Sequence, residues 1–516
     1  MSQALVGAYT KGEPNLGLRI SYAADQYLEG EGNEAEGEVR QEVVVAHSTC
    51  EAGEPDRRDP GEGRGHLNKG PMKGNTVDTQ EPRTRQEINE YVLTKRHRIA
   101  EIASKLPSER LVSLSQHIDI WWLYTAFEQT RKDGAKGIDG QTAEDYQVHL
   151  RENLKSLVER VKSGSYKAPP VRRVYIPKGS GNEKRPIGIP TFEDKVLQRA
   201  VVLVLESIYE QSFHDFSYGF RPRKNQHQAL ERLRDGLMEN GGGWVIDLDI
   251  RKFFDTLDHT VLREILDKRV GDGVIRRLID KWLKAGVMEA GELSYREEGT
   301  PQGGVISPML SNIYLHEVLD EWFVREVRPR MKGKSFIVRF ADDAVLGFET
   351  LADAERVMAV LPKRFAKYGL TVHPEKTKLL DMRKPRKDYE PQSFTFLGFC
   401  HYWGKSRNGY WVVKQKTDKG RLARSIKTVT EWLKRNRHSS LQEQQEQLVM
   451  KMLGHYAYYG ITGNFRSLAL FRREAEKAWY RWLRRRSRNY SLTWQRFDEY
   501  LLRFPLPEPR IVHSYV

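Results

Sequence analysis

The chain has 516 residues, 39% hydrophobic and 10% aromatic, enough for two or three domains with cores of their own. No run of about 18 apolar residues occurs, and no basic stretch followed by an apolar one opens the chain, so neither a membrane span nor secretion is expected. Only two cysteines are present, Cys50 and Cys400; that excludes a disulfide framework, or a zinc site built of thiolates alone, and fits a reducing cytoplasm. The formal charge of +15 is uneven: residues 1–82 hold 8 basic against 15 acidic side chains, whereas residues 401–516 hold 24 against 9. A C-terminal region this basic points to a polyanionic partner, most simply nucleic acid.

Residues 1–85 read as an acidic, Gly-rich extension. Stretches such as LEGEGNEAEGE bury too little apolar surface to offset chain entropy, so disorder is expected there, and the acidic content argues against an organelle transit peptide. From residue 86 the pattern becomes globular. Residues 86–105 and 118–132 carry helical apolar spacing. Residues 171–191 predict two strands around a Gly-rich turn, and 192–213 a buried helix. WVIDLDI (244–250), FIVRF (336–340) and AVLGF (344–348) predict strands, with helices between them. Further on, Leu422, Ile426, Val429 and Leu433 make one stripe of an amphipathic helix with a basic outer face. Helices and strands mix without βαβ regularity, so the expected class is α+β.

The carboxylates are the chemically telling feature. In WVIDLDI, Asp247 and Asp249 share a face, because strand side chains repeat every two residues. Asp342 and Asp343 stand between the two apolar runs of FIVRFADDAVLGF, where the chain should turn. If the two elements are neighbours, Asp249, Asp342 and Asp343 converge and repel, raising their own pKa values. A divalent cation removes that conflict, and oxygen-only donors favour Mg²⁺ or Mn²⁺ over zinc. A pair of Asp residues is also an ordinary turn feature, so its weight comes from its company.

That company resembles a known family. IPKGSGNEKRPIGIPT (176–191), SYGFRPRKNQHQAL (217–230), EGTPQGGVISPMLSNIYL (298–315), FADD (340–343), GLTVHPEKTKLL (369–380) and FLGF (396–399) follow the order of reverse transcriptase motifs. In detail they are similar to the reverse transcriptase/maturases encoded in group II introns. LYTAFEQTRKDGAKGIDGQTAEDY (123–146) is similar to that family's N-terminal extension motif, and GHYAYYGITGN (454–464) to the core of its maturase domain.

The resemblance implies a right-hand polymerase: an N-terminal extension and the start of the fingers at 86–170, then fingers and palm with an antiparallel sheet at 171–400. A basic, helical thumb/maturase domain that binds RNA would occupy 401–516. Asp249, Asp342 and Asp343 would be the catalytic, metal-binding carboxylates holding two Mg²⁺ ions, with Mn²⁺ as a substitute. Asp247 could be a spare ligand or an ion-pair partner, and is read as the latter. Phe254 would be the aromatic steric gate that selects dNTPs, Lys178 and Arg185 would hold the triphosphate, Gln302 would line the nucleotide pocket, and Lys376 is a candidate general acid. The first position of the Asp pair motif departs from the common Tyr: Phe340 keeps the ring and drops the hydroxyl.

In AWYRWLRRRSRNY (478–490), Arg481, Arg484, Arg485, Arg486 and Arg488 are candidate RNA-binding residues, while most of the aromatics are expected to pack inward. Nothing after EPRIVHSYV supplies the Cys pairs of an HNH-type nuclease, so no endonuclease is expected, and a DNA primer would come from elsewhere. The implied function is RNA-directed DNA polymerisation joined to assistance of splicing and mobility of the host intron. The partners would be group II intron RNA, an RNA template with its DNA primer, and dNTPs. The implied location is the bacterial cytoplasm, at the nucleoid when acting on DNA. Two alternatives stay open: a splicing maturase with a vestigial polymerase, and a reverse transcriptase of a defence system.

Overall fold

The computed structural model describes residues 84–177, 184–289, 292–294, 299, 303–487 and 492–515. Nearly all of the acidic extension, and Lys178, Gln302 and Arg488, lie outside the described residues. Two units are distinguished. Of the described residues, 175–177 and 184–185 go with the small one, and those from 85 to 174 and from 186 to 515 make the large one.

Helices open the large unit. α1 (Arg85–Lys105) and α2 (Ile120–Gln129) form where the apolar spacing predicts them. Asp119 caps α2 by accepting from Trp122 N, and its other oxygen holds Tyr91 and Lys95 of α1. α3 (Ala143–Val148) begins with a capping box between Thr142 and Asp145, and α4 (Leu150–Ser163) stops at Gly164. β1 (Val171–Pro177) and β2 (Lys184–Ile189) are the two predicted strands. α5 (Phe192–Tyr209) is apolar almost all round and accordingly buried along most of its length. α6 (Gln226–Glu239), started by an Asn225–Gln228 capping box, leads into β3 (Trp244–Leu248).

Two amphipathic helices, α7 (His259–Asp267) and α8 (Gly273–Leu283), and two short strands, β4 (Val287–Glu289) and β5 (Glu292–Ser294), precede α9 (Ser307–Leu315). α9 runs on through two π-helical turns, His316–Asp320 and Phe323–Val327. β6 (Ser335–Phe340), β7 (Asp343–Phe348), α10 (Leu351–Ala366) and β8 (Lys378–Asp381) follow.

Three sheets result. The first has the order β2-β1-β4-β5, with β1 parallel to β4. The central one has the order β6-β7-β3-β8, antiparallel throughout. The third, β11-β10-β9, is made of β9 (Phe394–Phe396), β10 (Phe399–Lys405) and β11 (Trp411–Thr417).

The central sheet divides two cores, and the period of two explains how. Ile246, Leu248, Ile337, Ala344 and Leu346 face a core shared with α5, α7, α9 and α10. Their strand neighbours Val245, Phe336, Val338 and Val345 face the opposite way, into a second core. That second core is completed by α6, by the third sheet and by the C-terminal helices α11 (Lys419–Arg435), α12 (Leu441–Tyr459), α13 (Phe465–Arg484) and α14 (Trp494–Arg503). On α11 the predicted stripe is present: Val429 and Leu433 are buried, and Leu422 and Ile426 pack half-buried against them. On α13, Leu468, Phe471, Ala475, Trp479 and Leu483 recur every three or four residues, and each fully buried large side chain contributes about 1.5–3 kcal/mol. Among the described residues no helix is long and apolar enough to cross a membrane.

Candidate active site

Strand β3 ends at Leu248, opposite Ala344 of β7, so one further step in that register sets Asp249 across from Asp343. On the other side of β7, Phe340 of β6 pairs with Asp343, which leaves only Ala341 and Asp342 to make the turn. A connection this short needs a positive φ, and Ala341 adopts one, 56°. Alternation along the strands places Asp247, Asp249 and Asp343 on the face that carries Val245 and Val345. Asp342 sits half-buried at the tip.

These carboxylates feel one another. The Asp343 carboxyl is pushed up to about 7, by burial first and then by the charges of Asp342, Asp249 and Asp247, with Arg421 of α11 acting in the opposite sense. Because Asp343 keeps solvent-accessible surface at its strand end, the repulsion from its three neighbours is the contribution with a direct structural counterpart. Burial and then Asp249 push Asp247 up to about 6. Lys378, its register partner on β8, opposes that rise, so the ion-pair expectation for Asp247 survives only as a longer-range attraction that burial and Asp249 outweigh. A donor set of oxygens alone, with like charges set beside Asp343, fits a hard divalent cation.

Three groups of neighbours hold the carboxylates in place. On one side is the loop that precedes β8. His373 N donates to the Asp249 carbonyl at 2.8 Å, and Thr377 Oγ1 lies 3.2 Å from both the N and the O of Asp249. Lys376 Nζ stands 3.5 Å from Asp249 Oδ2.

Behind the turn is Arg339, fully buried. It makes a two-pronged pair with Asp320, at 2.8 and 2.5 Å, and donates to Asn312 Oδ1 and to the Ala341 carbonyl, both at 2.9 Å. The Asn312 side chain in turn donates to the Gly219 carbonyl at 2.7 Å. Burial alone would raise the Asp320 carboxyl; Arg339 and His316 overcome that and hold it below the usual range. Gly219 packs under the turn so closely that a Cβ there would lie 2.2 Å from Ala341 N.

The third group surrounds Phe254. It lies half-buried in a short turn, Phe253–Asp255, edge-on to the buried Phe253 at 5.3 Å. Gly299 adopts φ 85° and backs this turn; a Cβ there would come within 2.8 Å of the Phe254 carbonyl oxygen. Its N–H donates to Leu257 O at 3.0 Å, and its carbonyl pairs with His259 Nε2 at 2.6 Å. The start of the GTPQGG segment is thereby stapled to the end of the Asp249 segment.

Of the candidate residues, then, Asp249, Asp342, Asp343 and Lys376 come together, and Phe254 follows Asp249 on the next turn. Arg185 is exposed on β2. Arg481, Arg484 and Arg485 are exposed at the C-terminal end of α13. Arg486 is set differently: its half-buried guanidinium donates to the Arg437 and Ser439 carbonyls, clasping the connection between α11 and α12. The aromatics of that segment pack as expected: Trp479 is buried with its Nε1 on Gln444, and Tyr480 stacks on Trp494 at 3.8 Å. Sequence reasoning missed Arg339, Asp320, Asn312, Gly219 and Thr377. A signal was present for the first: one arginine inside the apolar strand FIVRF requires a buried partner.

The model of the reverse transcriptase (RNA-dependent DNA polymerase) family matches residues 176–401, a span that holds every one of these carboxylates. The chain is 40% identical over 219 residues to the group II intron-encoded protein LtrA of Lactococcus lactis subsp. cremoris, a match covering 42% of this chain and 35% of LtrA. It is 38% identical over 238 residues to protein YkfC of Escherichia coli (strain K12), covering 41% of this chain and 62% of YkfC. It is 32% identical over 95 residues to nuclear intron maturase 1, mitochondrial, of Arabidopsis thaliana, covering 18% and 13%. The match thus spans about a third of LtrA's length. Residues 176–401 match the reverse transcriptase family, which depends on divalent metal, and over its matched part the chain is similar to group II intron-encoded proteins and intron maturases.

Proposed function

We propose that the chain is an RNA-directed DNA polymerase that also binds its host group II intron RNA, assisting splicing and, by reverse transcription, intron mobility. The observation that carries this reading is the convergence of Asp249, Asp342 and Asp343 at one end of the β3–β7 pair, braced from behind by a buried arginine.

Asp249, Asp342 and Asp343 would hold two Mg²⁺ ions; when bound, these supply Lewis-acid activation of the primer 3′-hydroxyl and charge neutralisation at the leaving pyrophosphate. The protein's part is positioning. The backbone of Asp249 is fixed by Thr377 and His373, and Asp343 is fixed by its pairing with Phe340 across the hairpin. The Phe254 ring would lie under the incoming sugar and leave no room for a 2′-hydroxyl, which favours dNTPs. Lys376, a neighbour of Asp249, would donate a proton to the departing pyrophosphate. The triphosphate role of Lys178 and Arg185 and the pocket role of Gln302 rest on the motif resemblance. Template RNA and intron RNA are the polyanions for which the C-terminal charge is suited, with Arg481, Arg484 and Arg485 as exposed contacts. A cytoplasmic, nucleoid-associated location follows from those substrates.

The test separates the polymerase from the RNA-binding activity. Asp342→Ala should abolish cDNA synthesis on a primed RNA template and leave intron RNA binding and assisted splicing intact. Unchanged cDNA synthesis would refute the assignment, and leave the vestigial-polymerase maturase as the reading.

A further inference from the structure

On the side of the first core, away from the carboxylate face, a second cluster of potential ligands is not used by the reaction. His214, in the segment after α5, brings Nε2 to 2.8 Å from Glu321 Oε1. His316, in the first π-helical turn after α9, brings its own Nε2 to 3.6 Å from the same oxygen. One ligand atom from each of the three residues lies within 4.8 Å of the other two. A tetrahedral zinc ion with bonds of about 2.0–2.1 Å separates its donors by roughly 3.3 Å, a value the two distances bracket.

The protonation chemistry of His316 leaves a gap that a cation fills. Its Nδ1 has no hydrogen-bond partner and stands 3.8 Å from Asp320 Oδ2. If Nδ1 carries the proton, the Nε2 lone pair faces the Glu321 carboxylate. If Nε2 carries it, the Nδ1 lone pair faces the Asp320 carboxylate. Either neutral form sets a lone pair against an anion. A metal ion between His214 Nε2, His316 Nε2 and Glu321 Oε1 resolves this, with Nδ1–H turned towards Asp320 in the carboxylate–histidine–metal arrangement common around bound zinc. Arg325 already occupies Glu321 Oε2 at 2.5 Å, which leaves Oε1 as a single donor. Ring packing fixes both imidazoles: His214 stacks on Phe216 at 5.0 Å, and Phe213 meets His316 edge-on at 5.2 Å. The π-helical turn is the local irregularity that offsets His316 and Glu321 from an α-helical register.

We propose that His214, His316 and Glu321 form a binding site for one divalent transition-metal ion of the zinc class, distinct from the polymerase carboxylates and structural in role. Asp320, which faces His316, is the residue that grips Arg339, and Arg339 holds the Ala341 carbonyl. The ion would therefore clip the segment after α5 to the π-helical turn and steady the support of the catalytic turn. This goes beyond the proposed polymerase function and does not depend on it.

The test uses the full chain, stripped with chelator, returned to excess Mg²⁺ so that the hard-ion site is filled, and titrated with Co²⁺ as a spectroscopic probe for Zn²⁺. About one Co²⁺ per chain should bind with the intense visible absorption of low-coordinate Co²⁺, and Zn²⁺ should displace it and raise the melting temperature. His214→Gln and Glu321→Gln should each weaken binding about tenfold or more, while Asp342→Ala keeps the absorption band. No band in the wild-type chain overturns the proposal. A band lost with Asp342→Ala and kept in His214→Gln overturns it equally, since the ion would then be at the polymerase site. Circular dichroism of each variant separates lost ligation from lost folding.

Discussion

Asp343 is held in a place that works against its own charge. Its carboxyl, pushed up to about 7, binds a proton in the folded chain over a range, from the ordinary value near 3.8 upward, in which the unfolded chain has released it. Ionised Asp343 therefore opposes folding increasingly as pH rises through that window, unless a cation is bound. Asp343→Asn should melt at a higher temperature than the wild type at pH 8 in chelator, with the gap closing towards pH 5. A lower melting temperature at pH 8 would contradict this account. Arg339 is the opposite kind of residue, since its charge is buried and fully matched. Arg339→Leu takes from Asp320 its two-pronged partner in the core, which should cost about 3–5 kcal/mol in denaturant unfolding. Arg339→Leu combined with Asp320→Leu should cost less than the sum of the two single changes, because both charges leave together. Additive losses would show that the pair is not coupled.

Among the elements, the two-residue hairpin turn and the segment beneath it behave as one piece. Tyr218 N donates to the Arg339 carbonyl and Arg339 N to the Phe216 carbonyl, both at 2.9 Å, so the segment 216–219 runs as a short parallel partner to the end of β6. Gly219 can approach the turn only because it has no Cβ. Gly219→Ala would push an atom into the Ala341 backbone, and a displacement on the order of 1 Å should lower cDNA synthesis about 100-fold. Binding of intron RNA, which the C-terminal helices are proposed to make, should not change. An unimpaired Gly219→Ala enzyme would mean the turn tolerates movement. This support was invisible in the sequence because SYGF and FADD lie more than a hundred residues apart. The strands that carry the carboxylates were readable, since their apolar runs and alternation are local signals.

For the whole molecule, the two cores differ in how they respond to acid. The second core contains His401 and His455, whose imidazoles burial pushes down to about 3. His227, stacked on His513 at 3.5 Å, is pushed down to about 4, mostly by burial. The unfolded chain protonates these groups near 6.5 and the folded chain does not, so their contribution is complete above that value and is lost as pH falls towards 3–4. Asp194, buried in the first core and pushed up to about 6, has the reverse sign and gains protons in the folded chain over the same acid range. The C-terminal helices should therefore loosen first when pH drops from 7 to 5, as followed by hydrogen exchange. His455→Phe, which keeps the stacking on Phe471, should retain more of its neutral-pH stability at pH 5 than the wild type. An identical pH profile for the two proteins would remove His455 from this account.

The sequence by itself determined the α+β class, the strand-forming segments and the inward-facing aromatics of α13, and it singled out three carboxylates as candidates. It did so because alternation, helical spacing and the order of motifs are properties of neighbours along the chain. Only the tertiary structure decided that the end of β3 brings Asp249 near Asp343, that Arg486 donates to carbonyls of the α11–α12 connection, and that Arg339, Asp320 and Gly219 carry the turn. Each of those facts is a contact between residues distant in sequence. Arg339 is paired and Asp343 is crowded by like charges because of what folding brings beside them, and no local pattern records that.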